Sequence, residues 1–235
     1  MAAAPAVERR DFADRDILAA ALAGTVAIRL KAAIAERGAA SLAVSGGTTP
    51  ERFFNLLSRA DLNWGKVSVT LVDERWVPAG HPRSNARLVA GKLLKYRAAA
   101  ARFVPLYSEA GDHEDAISSV LAAVATLPMP FDAVVLGMGA DGHTASFFPG
   151  GDRLAEALDP ANPALLIAMN APGAGEPRMT FTLAPILASG LIALHIEGKE
   201  KKAVLETALA DGPVEEMPVR ALLRSGRPVI VFWAP

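Results

Sequence analysis

Cysteine is absent from the 235 residues of the chain. Its absence excludes disulfide bonds, thiolate metal sites and a cysteine nucleophile. Charge of one sign is not in excess either, since the formal net charge is −1 at pH 7. This balance does not predict the extended basic surface that binds nucleic acid, so no nucleic-acid partner is expected.

Long apolar runs are also missing. The longest, ILAAALAGTVAI at residues 17–28, has 12 residues, whereas a membrane span needs roughly 20. We therefore interpret this run as part of a core helix. The first residues, MAAAPAVERRDF, lack the apolar core of a signal peptide. These features predict a cytoplasmic protein without a membrane partner.

Histidine is scarce, with four residues in the chain. No two of them have the spacing of paired metal ligands, so no catalytic metal is predicted. His113 is expected near a helix start, and His195 is expected to pack within a strand. His81 lies in a proline-containing loop. These three are weaker candidates for chemistry than His143, which follows a run of glycines.

Apolar runs of strand length alternate with helical patterns along most of the chain. Strands are predicted at 41–45, 66–72 and 131–136, and later at ALLIAMN, RMTFTL, LIALHI and PVIVFW. A long helix is predicted over 16–38. This alternation is typical of an α/β fold with a largely parallel, helix-covered, Rossmann-like sheet. We expect a single domain over residues 1–235, because no linker divides the chain.

In such sheets, ligands bind at the carboxyl ends of the strands. The segment SGGTTPE begins at Ser45, directly after a predicted strand. Gly46 and Gly47 let backbone N–H groups approach an anion, and Thr48 or Thr49 is expected to cap the following helix. This pattern is suited to binding phosphate, although a plain strand-to-helix turn fits it equally well. It is not a Walker A loop, because that spacing and its lysine are missing.

A second strand end delivers Asp73, Glu74 and Arg75 together, in the segment LVDERWVP. Three charges at the end of an apolar strand need partners if they are buried. Arg75 is suited to bidentate binding of phosphate or sugar oxygens. An ion pair on the rim is the other interpretation.

The segment GMGADGHTASFFPGG, at 137–151, contains the G-x-G-x-x-G spacing of dinucleotide-binding loops. That site needs a long helix after the last glycine, but Pro149 and two glycines follow within nine residues. We therefore predict a tight turn that presents Asp141 and His143 rather than an NAD site. His143 is suited to act as a general base near neutral pH, and a structural histidine is the alternative.

Two later cations adjoin predicted strands. Lys199 lies at a strand-to-helix junction in GKEKKAVLE, where it can add positive charge to a phosphate site. Lys201 and Lys202, which follow it, are expected to face solvent. Arg178 opens RMTFTL and by itself predicts only a surface charge.

The segments LAVSGGTTP, VDERWVP, VVLGMGADGHTASFFPG, RMTFTL and GKEKK resemble those of the bacterial, single-domain 6-phosphogluconolactonase family. They occur in the family's order and span nearly the whole chain. Glucosamine-6-phosphate deaminase/isomerase shares the fold, but its histidine loop continues with Asn-Glu-Pro and its strand end reads Asp-Glu-Tyr. This chain has Phe147-Phe148-Pro149 and Asp73-Glu74-Arg75 at those places, which favours the lactonase.

The resemblance implies hydrolysis of 6-phospho-D-glucono-1,5-lactone to 6-phosphogluconate in the oxidative pentose phosphate pathway, without a metal or organic cofactor. It implies that His143 activates water and that Asp141 orients His143. The residues implied to hold the substrate are Ser45 with the Gly46–Thr48 loop, Arg178 and Lys199 at the phosphate, and Asp73 and Arg75 at the sugar. Backbone N–H groups of the 137–142 turn are expected to stabilise the oxyanion.

Two other functions stay open. One is an isomerase or deaminase acting on an aminosugar phosphate, and the other is a non-enzymatic phosphosugar-sensing domain. A sensor would need a DNA-binding module, whereas the α/β pattern occupies the chain, and it has no need of His143. We expect a monomer whose partner is a small phosphosugar lactone.

Overall fold

The computed structural model describes residues 6–109 and 111–235. Its strands, numbered along the chain, are β1 (Val7–Asp11), β2 (Ala40–Val44), β3 (Val67–Leu71), β4 (Asp73–Arg75), β5 (Arg102–Val104), β6 (Ala133–Leu136), β7 (Leu166–Met169), β8 (Arg178–Phe181), β9 (Ile192–Glu197) and β10 (Val229–Ala234). Seven of them form one parallel sheet in the order β1-β10-β9-β6-β2-β3-β5. This sheet confirms the predicted fold class.

The helices lie between these strands. They are α1 (Arg15–Arg37), α2 (Glu51–Leu57), α3 (Asn85–Lys92), α4 (Ile117–Val124), α5 (Leu154–Leu158), α6 (Leu183–Leu187), α7 (Lys199–Leu209) and α8 (Val219–Leu223). Short 3-10 turns occupy Trp64–Lys66 and Tyr96–Ala100. Every residue of β2, β3 and β6 is buried, as expected for parallel strands covered by helices.

Helix α1 is long and apolar enough to cross a membrane by length and composition. It begins at Asp14, whose side chain accepts a hydrogen bond from the backbone N–H of Ile17, and ends at the left-handed Gly38. Leu18, Leu22, Val26 and Leu30 are fully buried in the hydrophobic core. Their spacing of four places them on one face of the helix, so α1 is the core helix that the sequence predicts.

Strands β4, β7 and β8 lie outside the main sheet and form a second sheet. In it β8 pairs antiparallel with both β4 and β7, in the order β4-β8-β7. The sequence predicts β7 and β8 but not this separate sheet, because antiparallel partners are chosen by long-range packing.

Strands β1 and β5 were not predicted. Both lie at edges of the main sheet, and β1 carries four charges that water can reach there.

The strand order brings the predicted site segments together. Strand β6 lies between β2 and β9, with Val135 opposite Val44 and Leu136 opposite Leu194. The loops that follow these three strands therefore start at one edge of the sheet. Strand β4 continues from β3 towards the same edge, and its pairing with β8 sets Arg75 opposite Arg178.

Candidate active site

A cleft of about 370 Å³ opens at this edge. Its polar lining side chains are Ser45, Thr48, Thr49, Asp73, Arg75, Arg83, Asn85, His143, Arg178, His195 and Lys201. Four of these are lysine or arginine and only one is a carboxylate. A strongly cationic cleft in a chain of net charge −1 is suited to an anionic ligand.

The loop at 45–49 presents free backbone donors to the cleft. No acceptor within the described part of the chain meets the backbone N–H groups of Gly46, Gly47, Thr48 or Thr49. Gly47 has φ +90°, a conformation that favours glycine. A run of N–H groups without protein acceptors forms an anion-binding concavity.

The predicted threonine cap of α2 is wrong. Pro50 is the N-cap of that helix, and it makes no side-chain cap hydrogen bond. Thr48 and Thr49 stand before it and line the cleft instead. Pro50 already has helical dihedral angles, so the helix does not need a hydroxyl cap to begin. The two hydroxyls are thereby left for a ligand.

His143 is held by Asp141 on the glycine turn. Its Nδ1 lies 2.6 Å from Asp141 Oδ1, and its backbone N–H donates to the same oxygen at 3.1 Å. The hydrogen bond from His143 lowers the pKa of Asp141 from 3.8 to about 2, although partial burial opposes this shift. An ionised Asp141 only accepts hydrogen bonds, so Nδ1 carries the proton. Nε2 of the neutral ring then holds a lone pair, as a general base requires.

We expect Asp141→Asn to lower kcat by about tenfold or more, because an amide neither fixes the tautomer nor stabilises the imidazolium. The pair also affects acid stability. Since the folded-state pKa of Asp141 is lowered, its contribution is present above about pH 4 and is lost as the pH falls through about 2. The unfolding free energies of the parent and of Asp141→Asn should therefore differ above pH 4 and converge towards pH 2. An unchanged kcat in Asp141→Asn would show that Asp141 does not orient the base.

Arg178 and Arg75 form the cationic wall of the cleft. Arg178 is 4% exposed, and burial lowers the pKa of its guanidinium, which still stays charged at neutral pH. Its Nη1 lies 3.6 Å from Asp73 Oδ2, and its Nη2 donates to the carbonyl of Ala174 at 2.6 Å. Arg75 Nη1 donates to the carbonyl of Arg83 at 2.6 Å, while its buried Nε has no partner among the described residues. Arg75 and Arg178 are thus paired across β4 and β8, and the like charge of Arg75 helps to lower the pKa of Arg178, while Asp73 and Glu176 oppose that shift.

Glu74 lies between Asp73 and Arg75 in the sequence, but it does not line the cleft. It is fully buried, and burial raises the pKa of its carboxyl group. It accepts hydrogen bonds from the backbone N–H groups of Arg75, Asn85 and Ala86 at 2.7–2.8 Å, and from Ser84. Glu74 therefore anchors the start of α3, and with it the loop that closes one side of the cleft.

Asn85 is a cleft residue that the sequence did not reveal. Its Nδ2 donates to the carbonyl of Asp73 at 2.9 Å. A Cβ on Gly46 would lie 1.8 Å from Asn85 Oδ1, so glycine is needed where the loop at 45–49 touches α3. An asparagine after a helix cap carries no local signal for this contact, because the contact depends on tertiary packing.

The two lysines of GKEKK are placed differently from the prediction. Lys199 is the first residue of α7, is exposed and does not line the cleft. Lys201 was predicted to face solvent, which is wrong, because it is half-buried and lines the cleft. Burial lowers the pKa of Lys201, and the nearby charge of Asp141 opposes that shift. Which lysine points inward depends on the rotation of α7 about its axis, which the sequence alone does not reveal.

Most of the other predicted residues are brought together at the cleft. Ser45, Gly46, Gly47, Thr48, Asp73, Arg75, His143 and Arg178 all line the cleft, and Asp141 stands against His143. His195 is packed, as predicted, but it also lines the cleft. The segment after Gly142 forms an isolated β-bridge rather than the long helix of a dinucleotide site, and the next helix begins at Leu154.

Comparison with known proteins identifies the family. The family model described as glucosamine-6-phosphate isomerases/6-phosphogluconolactonase matches residues 13–231. The chain belongs to this family. A 6-phosphogluconolactonase of Mesorhizobium japonicum is 60% identical over 95% of this chain and 94% of its own length. One from Rhizobium meliloti is 58% identical over 95% of this chain and 97% of its own length.

Solved structures of the family have the same fold. The crystal structure of a 6-phosphogluconolactonase from Shewanella baltica aligns with a TM-score of 0.94 at 41% identity, over 97% of this chain and 98% of that one. A monomeric glucosamine-6-phosphate deaminase aligns with a TM-score of 0.80 at 20% identity, over 97% of each chain. Because a deaminase shares the fold, the fold alone does not select one activity of the family.

Proposed function

We propose that this chain hydrolyses 6-phospho-D-glucono-1,5-lactone to 6-phospho-D-gluconate, in the oxidative pentose phosphate pathway. The observation that carries the proposal is the geometry of His143, a base tied at Nδ1 to an ionised carboxylate and lining a cationic cleft. Relatives at 58–60% identity are named for this activity. The enzyme is accordingly a carboxylic ester hydrolase that acts on a lactone.

The reaction needs one base and one water, because a lactone is already an activated ester. His143 Nε2 removes a proton from water as the water oxygen bonds to C1 of the lactone. The tetrahedral intermediate then collapses and the bond from C1 to the ring oxygen breaks. The imidazolium returns its proton to that oxygen, and the new carboxylic acid ionises. General-base catalysis of this kind contributes roughly 10²–10⁴-fold.

The oxyanion of the intermediate needs N–H donors at the glycine turn. Gly137 already donates to Ser45 Oγ at 3.2 Å, and the N–H groups of Gly139 and Gly142 bond within the turn. Met138 lines the cleft, whereas Ala140 and Asp141 do not, and the N–H of Met138 has no acceptor within residues 6–109 and 111–235. We therefore assign the Met138 N–H as the oxyanion donor of this turn.

The substrate is held by its phosphate, at a distance from the reacting carbon. The N–H groups of Gly46–Thr49, together with Arg178 and Lys201, supply donors and positive charge for a dianion. Asp73 and Arg75 are assigned to the sugar hydroxyls. Fixing both ends of the substrate turns attack by water into an effectively unimolecular step.

We expect Lys201→Ala to weaken 6-phosphogluconate binding by about 10- to 100-fold, because a charge-assisted hydrogen bond is worth roughly 1.5–3 kcal/mol. Binding of gluconate, which lacks the phosphate, should change little. Lys199→Ala tests the assignment made from the sequence, and a smaller effect is expected because Lys199 is exposed. Calorimetric titration of each variant with both ligands makes the comparison. A larger loss of 6-phosphogluconate affinity in Lys199→Ala than in Lys201→Ala would show that Lys199 makes the phosphate contact.

A pair of assays tests the proposed function against its alternatives. Acid release from 6-phosphogluconolactone should exceed the enzyme-free rate, and ammonia release from glucosamine 6-phosphate should not be detected. The reverse result would identify a deaminase. A sensor would bind the sugar phosphate and catalyse neither reaction.

We also propose that residues 1–235 act as one domain and as a cytoplasmic monomer, without cofactor, nucleic acid or membrane. The support is that one chain supplies the base, its carboxylate and the four cations of the cleft. Light scattering coupled to size exclusion should give the mass of one chain, 24.5 kDa. A dimer with residues of both chains in the cleft would contradict it.

A further inference from the structure

Phe148 contacts two groups of the site. Its ring stacks on the imidazole of His143, with ring centroids 4.2 Å apart and an interplanar angle of 28°. The guanidinium of Arg178 lies over the same ring, 5.1 Å from its centroid. Phe148 is 3% exposed and lines the cleft, yet it does not belong to the hydrophobic core cluster. These two contacts of the ring are therefore with functional groups of the cleft.

The imidazole of His143 needs a second restraint besides Asp141. A hydrogen bond at Nδ1 fixes one atom of the ring but leaves the ring plane free to tilt about that contact. Stacking on Phe148 removes this freedom, so the direction of Nε2 becomes defined. The covered face also excludes water from that side, which leaves the Nε2 edge for the attacking water.

The second contact of Phe148 is with Arg178, which belongs to the phosphate end of the site. Arg178 is held by backbone carbonyls of the 170–178 loop, at Ala174 and Glu176, and by its ion pair with Asp73. Its attraction to the face of Phe148 is a cation–π contact. One rigid ring therefore contacts both the base and a cation of the substrate site.

We propose that Phe148 is a positioning residue of the lactonase, which sets the plane of the His143 imidazole and the spacing between His143 and Arg178. The inference rests on the proposed function, because it assigns His143 as the base. Phe148 acts through His143 and Arg178 and is not itself a catalytic residue.

The neighbouring Phe147 provides a matched control. It is 1% exposed, belongs to the hydrophobic core cluster and does not line the cleft. Phe148→Leu and Phe147→Leu remove the same ring, one position apart. Both should lower the melting temperature, but only Phe148→Leu should lower kcat, by about 10- to 100-fold, since small misplacements of a catalytic group cost about that much.

Proton NMR of the unliganded protein gives a readout that a merely structural role would not move. The ring protons of His143 are identified by their loss in His143→Ala, and the imidazole packs against Gly139. Nuclear Overhauser contacts between these ring protons and the Hα protons of Gly139 should change in Phe148→Leu and remain as in the parent in Phe147→Leu. Phe148→Met replaces the leucine variant if the latter does not fold.

Two results would overturn the proposal: a kcat within twofold of the parent in the Phe148 variant, or a lowered kcat with unchanged contacts between the His143 ring and Gly139. Failure of the proposed function is distinguishable from both. In that case the parent protein would not hydrolyse the lactone, while the NMR comparison would still report whether Phe148 fixes the ring of His143.

Discussion

Replacing His143 with alanine is expected to lower kcat by about 10²–10⁴-fold, the range that general-base catalysis contributes. Binding of 6-phosphogluconate should stay within about threefold, because the phosphate contacts come from other elements. The reason is the arrangement of the pair: Asp141 holds Nδ1 at 2.6 Å, and its pKa of about 2 keeps it ionised at neutral pH. Initial rates of acid release and calorimetry of product binding make the measurement.

His81→Ala is the control for this experiment. His81 is exposed and does not line the cleft, so its loss should leave kcat within twofold. If His143→Ala retained the parental kcat, another group would have to activate the water. A large loss of product affinity in His143→Ala would instead indicate that His143 binds substrate rather than acting on water.

Gly139→Ala is expected to reduce kcat by about 10²-fold or more, although the substitution adds a single methyl group. A Cβ at Gly139 would lie 2.0 Å from His143 Nδ1 and 2.5 Å from Asp141 Oδ1. No atom can remain at those distances, so the imidazole and the carboxylate must move apart or turn. A displacement of about 1 Å at the reacting group is enough for a loss of this size.

The control for this substitution is Gly91→Ala in helix α3. A Cβ there meets no heavy atom within 4 Å, and alanine favours a helix more than glycine does. It should leave kcat unchanged and raise the melting temperature slightly. Gly139→Ala should fold with a modest loss of stability, since overpacking costs typically about 1–3 kcal/mol. Parental activity in folded Gly139→Ala would contradict the described packing of His143 against the turn.

The sequence predicts the main sheet and most of the cleft because both follow from local patterns. Buried strands such as β2 and β6 read as short apolar runs, and the residues directly after them meet at one edge wherever the strands are parallel. Gly46, Asp73 and His143 could therefore be placed in one site before their contacts were known. The family resemblance added roles to these residues, which composition and spacing do not provide.

Other parts of the site depend on strand pairing, helix rotation and side-chain neighbours, which local sequence patterns do not determine. Arg178 enters the cleft because β8 pairs with β4 in a separate antiparallel sheet, and strand partners are chosen by packing across the whole chain. Lys201 rather than Lys199 lines the cleft because of the rotation of α7. Phe148 reads in the sequence as one more apolar residue beside Phe147. Only its neighbours, His143 and Arg178, distinguish it from a core side chain.

The opposed guanidinium groups of Arg75 and Arg178 have a consequence for the protein without its substrate. Like charges on residues paired across two strands repel, and burial of the Arg178 guanidinium adds to this cost, which Asp73 and Glu176 offset only in part. A bound phosphosugar supplies the missing negative charge, so ligation and folding become thermodynamically linked. Cells rich in the product would thereby contain a more heat-resistant population of this enzyme than cells depleted of it.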